Sequence, residues 1–406
     1  MAHILRTLTT MAIAAMLVAA CGRASAPLTH DAYVWQRQWT PALREAMSSS
    51  TDLVRDWRVL VAQADRNGAF HTFAPDRQAL AHSGRPVVLV VRIDGRLASF
   101  DAGVLAGRIA ALTAGWPATQ LGGIEIDYDC PTSRLPAYTA FLTALRPQLG
   151  TLPLSITALP TWIGSRDLDA LLALPDESVL QVHAVQAPQA GLFDPVVADR
   201  WVDEFATHTR KPFRVALPTY GSRVSWNEDG SLLAVESERA ALAAGATSAE
   251  LYAAPDILMA FVAHLAKDRP RGLVGVVWFR LPTADDTRAW SLATWRGVVS
   301  GHLDPGPLMM TLQPGPSTDA PSDVMLENAG ATDAAPPPRV ALPASCELAD
   351  GIDGYRLQRR ATSLELIAES ARPIPAHTRR SIGWARCKAG TPLTLSPTSA
   401  QGTPVS

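Results

Sequence analysis

The segment Gly122–Pro131 carries a carboxylate at every second position, in the order Glu125, Asp127 and Asp129. Side chains alternate between the two faces of a β-strand, so the three acids share one face and the apolar residues between them share the other. Three acids this close cannot all ionise cheaply, which raises the pKa of at least one of them. The spacing therefore predicts a carboxylic acid that stays protonated near neutral pH and can serve as a general acid.

Other kinds of site have weaker support in the sequence. An acid cluster can also be satisfied by a buried arginine or by backbone donors, or it can hold a cation. No HExxH, no CxxC and no metal-spaced histidine cluster occurs, so we expect no metal and no cofactor. No GxSxG turn occurs, which argues against a Ser-His-Asp hydrolase. Three carboxylates in alternation on an otherwise apolar strand favour the catalytic interpretation.

Eight short apolar runs recur between residues 31 and 301, and segments of helical length separate most of them. The predicted strands are Ala32–Gln36, Arg58–Ala64, Val87–Ile93, Gly123–Tyr128, Leu154–Ala158, Val179–Ala184, Phe213–Leu217 and Leu273–Phe279. The predicted helices are Asp101–Ala114, Arg134–Arg146, Arg166–Leu174, Asp199–His208, Pro255–Ala266 and Arg288–Val299. Nearly continuous apolar runs are typical of parallel strands that are covered on both faces. Eight such strands over ~270 residues predict an α/β fold, a (β/α)₈ TIM barrel over residues 31–301.

The working residues of such a barrel lie at the carboxyl ends of its strands. A sugar site needs a flat apolar platform and polar groups that meet hydroxyls. The candidate substrate-binding residues at these ends are Trp35, Gln36, Arg92, Gln181, His183, Tyr220, Trp278 and Arg280. Two alternatives stay open: His183 could be a core histidine, and Arg92 and Arg280 could neutralise the carboxylates.

The N-terminus predicts export and a lipid anchor. Arg6 precedes a ten-residue apolar run, and small residues then lead into Cys21. This is the pattern of a secretory signal peptide with a lipobox, and the run is shorter than the ~20 residues that span a bilayer. We expect a signal peptide over residues 1–20, lipidation of Cys21 and a tether over residues 21–30. Gly22 favours the outer membrane, with the protein facing the periplasm.

The composition changes after the predicted barrel. Prolines punctuate residues 302–322, which predicts a linker or an edge strand. Short β-like runs follow over residues 323–390 and predict a small β module. These runs are Val324–Glu327, Arg339–Leu342, Gly354–Gln358, Leu364–Ile367 and Arg379–Trp384. The polar, Pro- and Ser-rich segment 391–406 is predicted to be disordered.

Cysteine usage and net charge bear on disulfide pairing and on the class of partner. Cys346 and Cys387 both lie in the β module, and we expect them to pair in an oxidising envelope compartment. Cys130 is left over, and we expect a buried, inert thiol. The formal net charge is −2 and no basic stripe occurs, which argues against a nucleic-acid partner.

The segment Gly122–Pro131 resembles the catalytic strand of family 18 chitinase-like glycosidases, whose pattern is DGxDxDxE. Glu125 and Asp127 stand where that pattern has its two inner aspartates, and Asp129 stands where it has the catalytic glutamate. Two departures accompany the match. Glycine replaces the leading aspartate of the pattern, and Asp129 is one methylene shorter than glutamate.

Two further implications follow from the same resemblance. Trp278 matches the position where chitinase-like barrels carry a tryptophan floor, and it could equally be a core tryptophan that plugs the barrel. Tyr220 resembles the tyrosine that helps to position the acetamido group of the substrate.

From Asp31 to Cys387, the chain also resembles the bacterial domain-of-unknown-function family 3142. The segments that carry this resemblance are Val34–Arg37, Ile124–Pro131, Ser155–Pro160, Leu180–His183 and Gly383–Trp384. The resemblance implies a glycosidase-type barrel that is followed by a tail module, and it implies no particular activity.

Together these observations predict an envelope lipoprotein that cleaves a glycosidic bond in a glycan, and the resemblance implies that this glycan contains 2-acetamido sugars. Asp129 would protonate the leaving oxygen, and Asp127, held by Glu125, would orient the N-acetyl group or a water. The expected partners are this glycan and, through the lipid on Cys21, the membrane; the oligomeric state is open. The alternative is a glycan-binding or scaffold lipoprotein that keeps the platform residues and lacks catalysis.

Overall fold

The computed structural model describes residues 27–395, except residues 98, 184–191, 228, 230–231, 237–246, 318–319, 362, 370–371, 389 and 392–393. Twelve strands lie in its N-terminal part. They are β1 (Thr29–Val34), β2 (Trp57–Ala64), β3 (Phe70–Thr72), β4 (Val87–Ile93), β5 (Leu121–Tyr128), β6 (Leu154–Ala158), β7 (Glu177–Gln181), β8 (Phe213–Pro218), β9 (Gly221–Trp226), β10 (Leu232–Glu236), β11 (Thr247–Tyr252) and β12 (Leu273–Phe279).

Eight of these strands close into the predicted parallel barrel. Their order around the barrel is β1-β2-β4-β5-β6-β7-β8-β12, and β1 pairs in parallel with both β2 and β12. Three barrel strands have the predicted bounds, whereas β1 begins three residues earlier than Ala32. The sequence obscures that start because His30 and Asp31 interrupt the apolar pattern, although Asp31 is fully buried in the barrel.

Helices cover the outside of the barrel. They are α1 (Pro41–Ser50), α2 (Arg77–His82), α3 (Ala102–Ala111), α4 (Leu135–Leu145), α5 (Leu168–Leu172), α6 (Pro195–His208), α7 (Pro255–Lys267) and α8 (Leu292–Ser300). Asp101, which was predicted to lie inside its helix, instead caps α3 by accepting a hydrogen bond from the Val104 amide. Ser291 caps α8 in the same way, so this helix begins four residues after the predicted Arg288.

An antiparallel insertion follows the mouth end of β8 and was not predicted. Its three strands pair in the order β10-β9-β11, and β9 begins directly after Tyr220. The residues of β9 mix glycine, serine, arginine and tryptophan, so no apolar alternation marks the strand. The insertion matters for the site because it fixes the backbone on both sides of Tyr220, whose carbonyl accepts a hydrogen bond from the Ala253 amide.

The C-terminal module contains two antiparallel sheets around a core of its own. Its strands are β13 (Leu308–Gln313), β14 (Ser322–Asn328), β15 (Arg339–Ala341), β16 (Cys346–Gly351), β17 (Tyr355–Arg359), β18 (Leu364–Ala368), β19 (Thr378–Cys387) and β20 (Thr394–Leu395). The sheet orders are β16-β19-β14-β13-β20 and β15-β18-β17. The predicted disulfide Cys346–Cys387 is confirmed, and it joins β16 to β19.

Two segments outside the predicted module carry strands of it. Strand β13 lies within the Pro-rich segment 302–322, and its alternate residues Met310 and Leu312 are buried in the module core. Strand β20 lies in the predicted tail and pairs with β13. The module therefore begins before residue 323, because the two buried apolar side chains of β13 add a strand to its sheet.

Hydrogen bonds join the module to the barrel. The Asp333 carboxylate accepts from the Ser291 amide at 2.8 Å, and the Asp333 amide donates to the Thr294 hydroxyl at 2.7 Å. The predicted signal peptide and Cys21 lie outside the described residues. Within the part of the chain that the structure describes, no helix is long and apolar enough to cross a membrane.

Candidate active site at the barrel mouth

Strand β5 turns its alternate residues as the sequence pattern predicts. Ile124, Ile126 and Tyr128 pack in the outer core between the barrel wall and the helices. Glu125 and Asp127 are buried inside the barrel, and Asp129 follows the last strand residue at the mouth, where its side chain is solvent-accessible. The three carboxylates thus mark three depths along one inner face.

Glu125 lies deepest and belongs to a buried ionic network. Arg58 donates to its carboxylate, Tyr33 Oη donates to Oε1 at 2.6 Å, and Ser155 Oγ donates to Oε2 at 3.0 Å. Arg58 also pairs with Asp31, at 3.0 Å. The expectation that Glu125 holds Asp127 is therefore wrong among the described contacts, because all three donors to Glu125 come from other strands.

Asp127 is held by the two strands that follow β5 around the barrel. Thr157 Oγ1 donates to Asp127 Oδ1 at 2.8 Å, and Gln181 Nε2 lies 3.4 Å from the same oxygen. The same Gln181 nitrogen donates to Asp129 Oδ1 at 3.2 Å. One amide group therefore bridges the two acids and holds them on the same side of the mouth.

The two mouth carboxylates are coupled acids. Burial and the charge of Asp129 raise the pKa of Asp127 to about 7, while Arg92 opposes the shift. Protein atoms around Asp129 displace much of its water, so burial raises its pKa too, again against Arg92. Since like charges this close do not ionise independently, the pair can retain one shared proton near neutral pH.

Arg92 and Trp35 lie beside these acids. The Arg92 guanidinium lies over the Trp35 ring, 5.9 Å from its centroid, and it lowers the pKa of both carboxylates. The Trp35 ring meets Phe279 edge-on with their centroids 5.0 Å apart. This arrangement gives the mouth a positive group and an aromatic surface next to its acids.

His183 and Tyr220 also contact Phe279, and the three rings pack together at the mouth. The His183 ring stacks on Phe279 at 5.7 Å, and Tyr220 meets both rings edge-on. His183 Nδ1 lies 3.1 Å from the Ala216 carbonyl, which can only accept, so Nδ1 carries the hydrogen and Nε2 is left as an acceptor. Burial lowers the pKa of His183 to about 4, so the ring is neutral at pH 7.

Trp278 does not line the mouth, and the expectation of a tryptophan floor at this position is wrong. Its ring is fully buried on the outer side of β12, where it donates to His30 Nδ1 at 3.2 Å and contacts Trp290. The next residue, Phe279, faces the barrel interior instead. The sequence shows two adjacent aromatic residues at the strand end, and only the phase of the strand decides which one points inward.

Arg280 and Gln36 lie in a cavity that does not include the acids. Arg280 pairs with Asp286 and lies over the Tyr220 ring at 5.6 Å. Gln36 Nε2 donates to the Leu281 carbonyl at 3.2 Å. Both line a polar cavity of about 390 Å³, together with Arg37, Gln38, Thr40, Thr283, Asp285 and Asp286. Neither of the two mouth carboxylates is among the described residues that line this cavity.

Several residues that shape the site were missed or left without a role. Arg58 and Tyr33 hold Glu125, and Phe279 forms the aromatic floor. A signal for Arg58 was present, since an arginine inside a continuous apolar strand must find a buried partner. Cys130 is buried, and burial raises the pKa of its thiol to about 12, as expected of an inert cysteine. Among the described residues, no cluster of His, Cys, Asp or Glu could hold a metal ion.

The comparisons with known proteins concern the two parts of the chain separately. The family model described as domain of unknown function 3142 matches residues 83–284, from just before β4 to just after β12. A second model, domain of unknown function 8456, matches residues 313–388 in the C-terminal module. No curated protein matches the chain.

Solved structures resemble the barrel at low sequence identity. The spore cortex-lytic enzyme SleL of Bacillus megaterium has a TM-score of 0.50 at 12% identity, covering 69% of this chain and 75% of that one. The chitinase of Chromobacterium violaceum has a TM-score of 0.48 at 13% identity, covering 68% of this chain and 98% of that one. A chitinase of Bacteroides thetaiotaomicron has a TM-score of 0.48 at 14% identity, covering 63% and 90%.

At such identities the likeness to SleL shows a shared barrel fold. The family match confirms the resemblance that the sequence segments carried. Residues 83–284 of the barrel therefore match domain-of-unknown-function family 3142, and the module that follows it matches family 8456.

Proposed function

We propose that this protein is a glycoside hydrolase that cleaves a glycosidic bond in a glycan containing 2-acetamido sugars. The observation that carries the proposal is the coupled pair Asp127 and Asp129, which shares Gln181 as a donor at the mouth of a glycosidase-type barrel. Asp129 is the solvent-accessible member and protonates the leaving oxygen. Asp127 orients the acetamido group or a water that attacks the sugar.

The aromatic and neutral polar groups of the mouth suit a sugar ligand. Phe279 is partly exposed, with Trp35 buried against it, and presents a ring to the apolar face of a pyranose, and the neutral His183 Nε2 can accept from a hydroxyl or amide. The fold similarity to a spore cortex-lytic enzyme supports the same class of activity.

The test is incubation of the purified protein with chito-oligosaccharides and peptidoglycan fragments, with products identified by mass spectrometry. We expect shortened oligosaccharides from the wild type. Titration calorimetry on the same ligands separates the alternative, a glycan-binding lipoprotein. That alternative has support from the short side chain of Asp129, and it predicts equal binding by the wild type and Asp129→Asn with no product from either.

The pH dependence of the reaction follows from the coupled acids. The active form carries one proton on the pair, so kcat/KM should fall as pH rises through about 7, the pKa of Asp127. The sign is fixed because deprotonation removes the acid that protonates the leaving oxygen. A pH–rate profile from pH 4 to 9 measures this limb. A kcat/KM that stays level or rises up to pH 9 would rule out the shared proton.

The protein is further proposed to reach the envelope as a lipoprotein that is anchored through Cys21 and faces the periplasm from the outer membrane. The lipobox pattern supports this proposal, and the disulfide in the module suits an oxidising compartment. Cys21→Ser should move the protein from the membrane fraction to the soluble fraction and abolish labelling by a radioactive fatty acid. Membrane retention of Cys21→Ser with unchanged labelling would contradict the anchor.

A further inference from the structure

Two arginines at the mouth ends of neighbouring strands share Gln63 as a neighbour, and one of them, Arg92, interacts electrostatically with the proposed acid. Arg92 is the penultimate residue of β4, and its backbone neighbour across the ladder is Gln63 on β2. Arg37 follows β1 and donates from Nη2 to Gln63 Oε1 at 2.8 Å. Gln63 thus neighbours both arginines, Arg92 through the backbone ladder and Arg37 through its side chain, and we call Arg37 and Arg92 the mouth arginine pair.

Each guanidinium of the mouth arginine pair lies over an aromatic ring. Arg37 lies 5.4 Å from the centroid of Phe73, and Arg92 lies 5.9 Å from the centroid of Trp35. Such stacking restricts the orientation of a guanidinium while it leaves the N–H groups in the ring plane available. The pair is thus held in place before any ligand arrives.

The hydrogen-bonding capacity of Arg92 is unused within the described part of the chain. No described residue accepts a hydrogen bond from it, although its charge lowers the pKa of Asp127 and Asp129. Asp127 already has its donors in Thr157 and Gln181. An arginine that only neutralised these acids would be expected to hydrogen-bond to them, because bidentate pairing with a carboxylate is its strongest contact.

We propose that the mouth arginine pair binds a carboxylate carried by the glycan, so that the enzyme prefers acidic glycans over neutral ones. The inference rests on the proposed function, and it adds the substrate class. A planar guanidinium fork matches a carboxylate in two parallel hydrogen bonds. Two kinds of sugar supply such a group close to a 2-acetamido residue: a hexosamine with a lactyl ether, and a uronic acid.

The experiment is titration calorimetry in the Asp129→Asn background, which keeps the ligands intact. Three tetrasaccharides are compared: chitotetraose, alternating N-acetylglucosamine and N-acetylmuramic acid, and alternating N-acetylglucosamine and glucuronic acid. We expect at least one acidic ligand to bind about tenfold or more tightly than chitotetraose, as a charge-assisted bidentate contact implies. The ligand that shows the preference identifies the source of the carboxylate.

Variants assign this preference to the pair. Arg92→Gln and Arg37→Gln should each weaken the acidic ligand severalfold more than they weaken chitotetraose, and Arg92→Lys should recover part of the difference. The ratio of the two affinities is the readout, because a general disturbance of the mouth weakens both ligands alike. The matched control is Arg77→Gln, an arginine stacked on Trp116 in the outer helical layer.

Equal weakening of both ligands by Arg92→Gln, or no preference of the Asp129→Asn protein for either acidic ligand, would overturn the inference and leave the hydrolase proposal standing. Absence of binding and cleavage for all three glycans would instead contradict the proposed function, and the inference with it. Arg37 is exposed, so its variant reports on the pair even where Arg92→Gln folds poorly.

Discussion

Replacing Asp129 by asparagine should lower kcat/KM on the cleaved glycan by about 10³-fold, the usual contribution of a general acid. The amide keeps the size of the side chain and can still accept from Gln181, but it has no proton of suitable acidity to give. The same change removes the charge that helps to raise the pKa of Asp127, so that pKa should fall below about 7. Steady-state kinetics and carboxyl carbon NMR measure the two effects.

Two further variants serve as controls for that result. Asp129→Glu keeps an ionisable acid and extends it by one methylene, so it should retain far more activity than the asparagine variant. Asp65→Asn changes a carboxylate at the mouth end of β2, where His71 contacts it at 3.1 Å, and it should leave kcat/KM within about twofold. If Asp129→Asn kept activity within threefold of the wild type, another group would have to be the acid.

Replacing Arg58 by methionine should lower the free energy of unfolding by about 3–5 kcal/mol, the range for breaking a buried ion pair from one side. Arg58 is 1% exposed and pairs with the carboxylates of Asp31, Glu125 and Glu177. Without it, Glu125 stays inside the barrel with no ion-pair partner among the described residues, and Asp31 keeps only its longer contacts with Arg55 and Arg214. The free energy of unfolding is measured by urea denaturation at pH 7.

The matched control is Arg44→Met, because Arg44 forms a 2.6 Å ion pair with Asp76 on the surface. Its loss should cost under about 1 kcal/mol, since water screens an exposed pair. The double variant Arg58→Met/Glu125→Met should regain part of the stability lost by the single variant, because it also removes a buried acid. A cost below about 1 kcal/mol for Arg58→Met would show that the ion pair with Arg58 does not stabilise the buried carboxylates.

The carboxylate strand was predictable because its alternation is local. Because side chains alternate along a strand, Glu125, Asp127 and Asp129 had to share one face, and the aliphatic residues between them fixed which face turns inward. The partners of these acids were harder to predict, since Arg58 and Thr157 lie 67 and 30 residues away from the acids they contact. Which side chains meet inside a closed barrel depends on the stagger of its strands, and no short segment of sequence records that stagger.

The inward or outward direction of side chains at strand ends was also hard to predict from the local sequence. Trp278 and Phe279 are both aromatic and adjacent, and the resemblance to chitinase-like barrels implied Trp278 as the floor. The pairing of β12 with β1 and β8 instead turns Phe279 inward and Trp278 towards the helices. Strand β13 was hidden for a related reason, because its buried residues alternate between prolines that indicate a linker.

A crystal structure of Asp129→Asn soaked with an oligosaccharide that the protein binds tests the central claim most directly. The proposal predicts a sugar on Phe279, with a glycosidic oxygen about 3 Å from the substituted side chain. It also predicts an acetamido group or a water near Asp127. A sugar bound at the mouth with every glycosidic oxygen beyond the reach of position 129 would contradict the assignment of Asp129 as the acid.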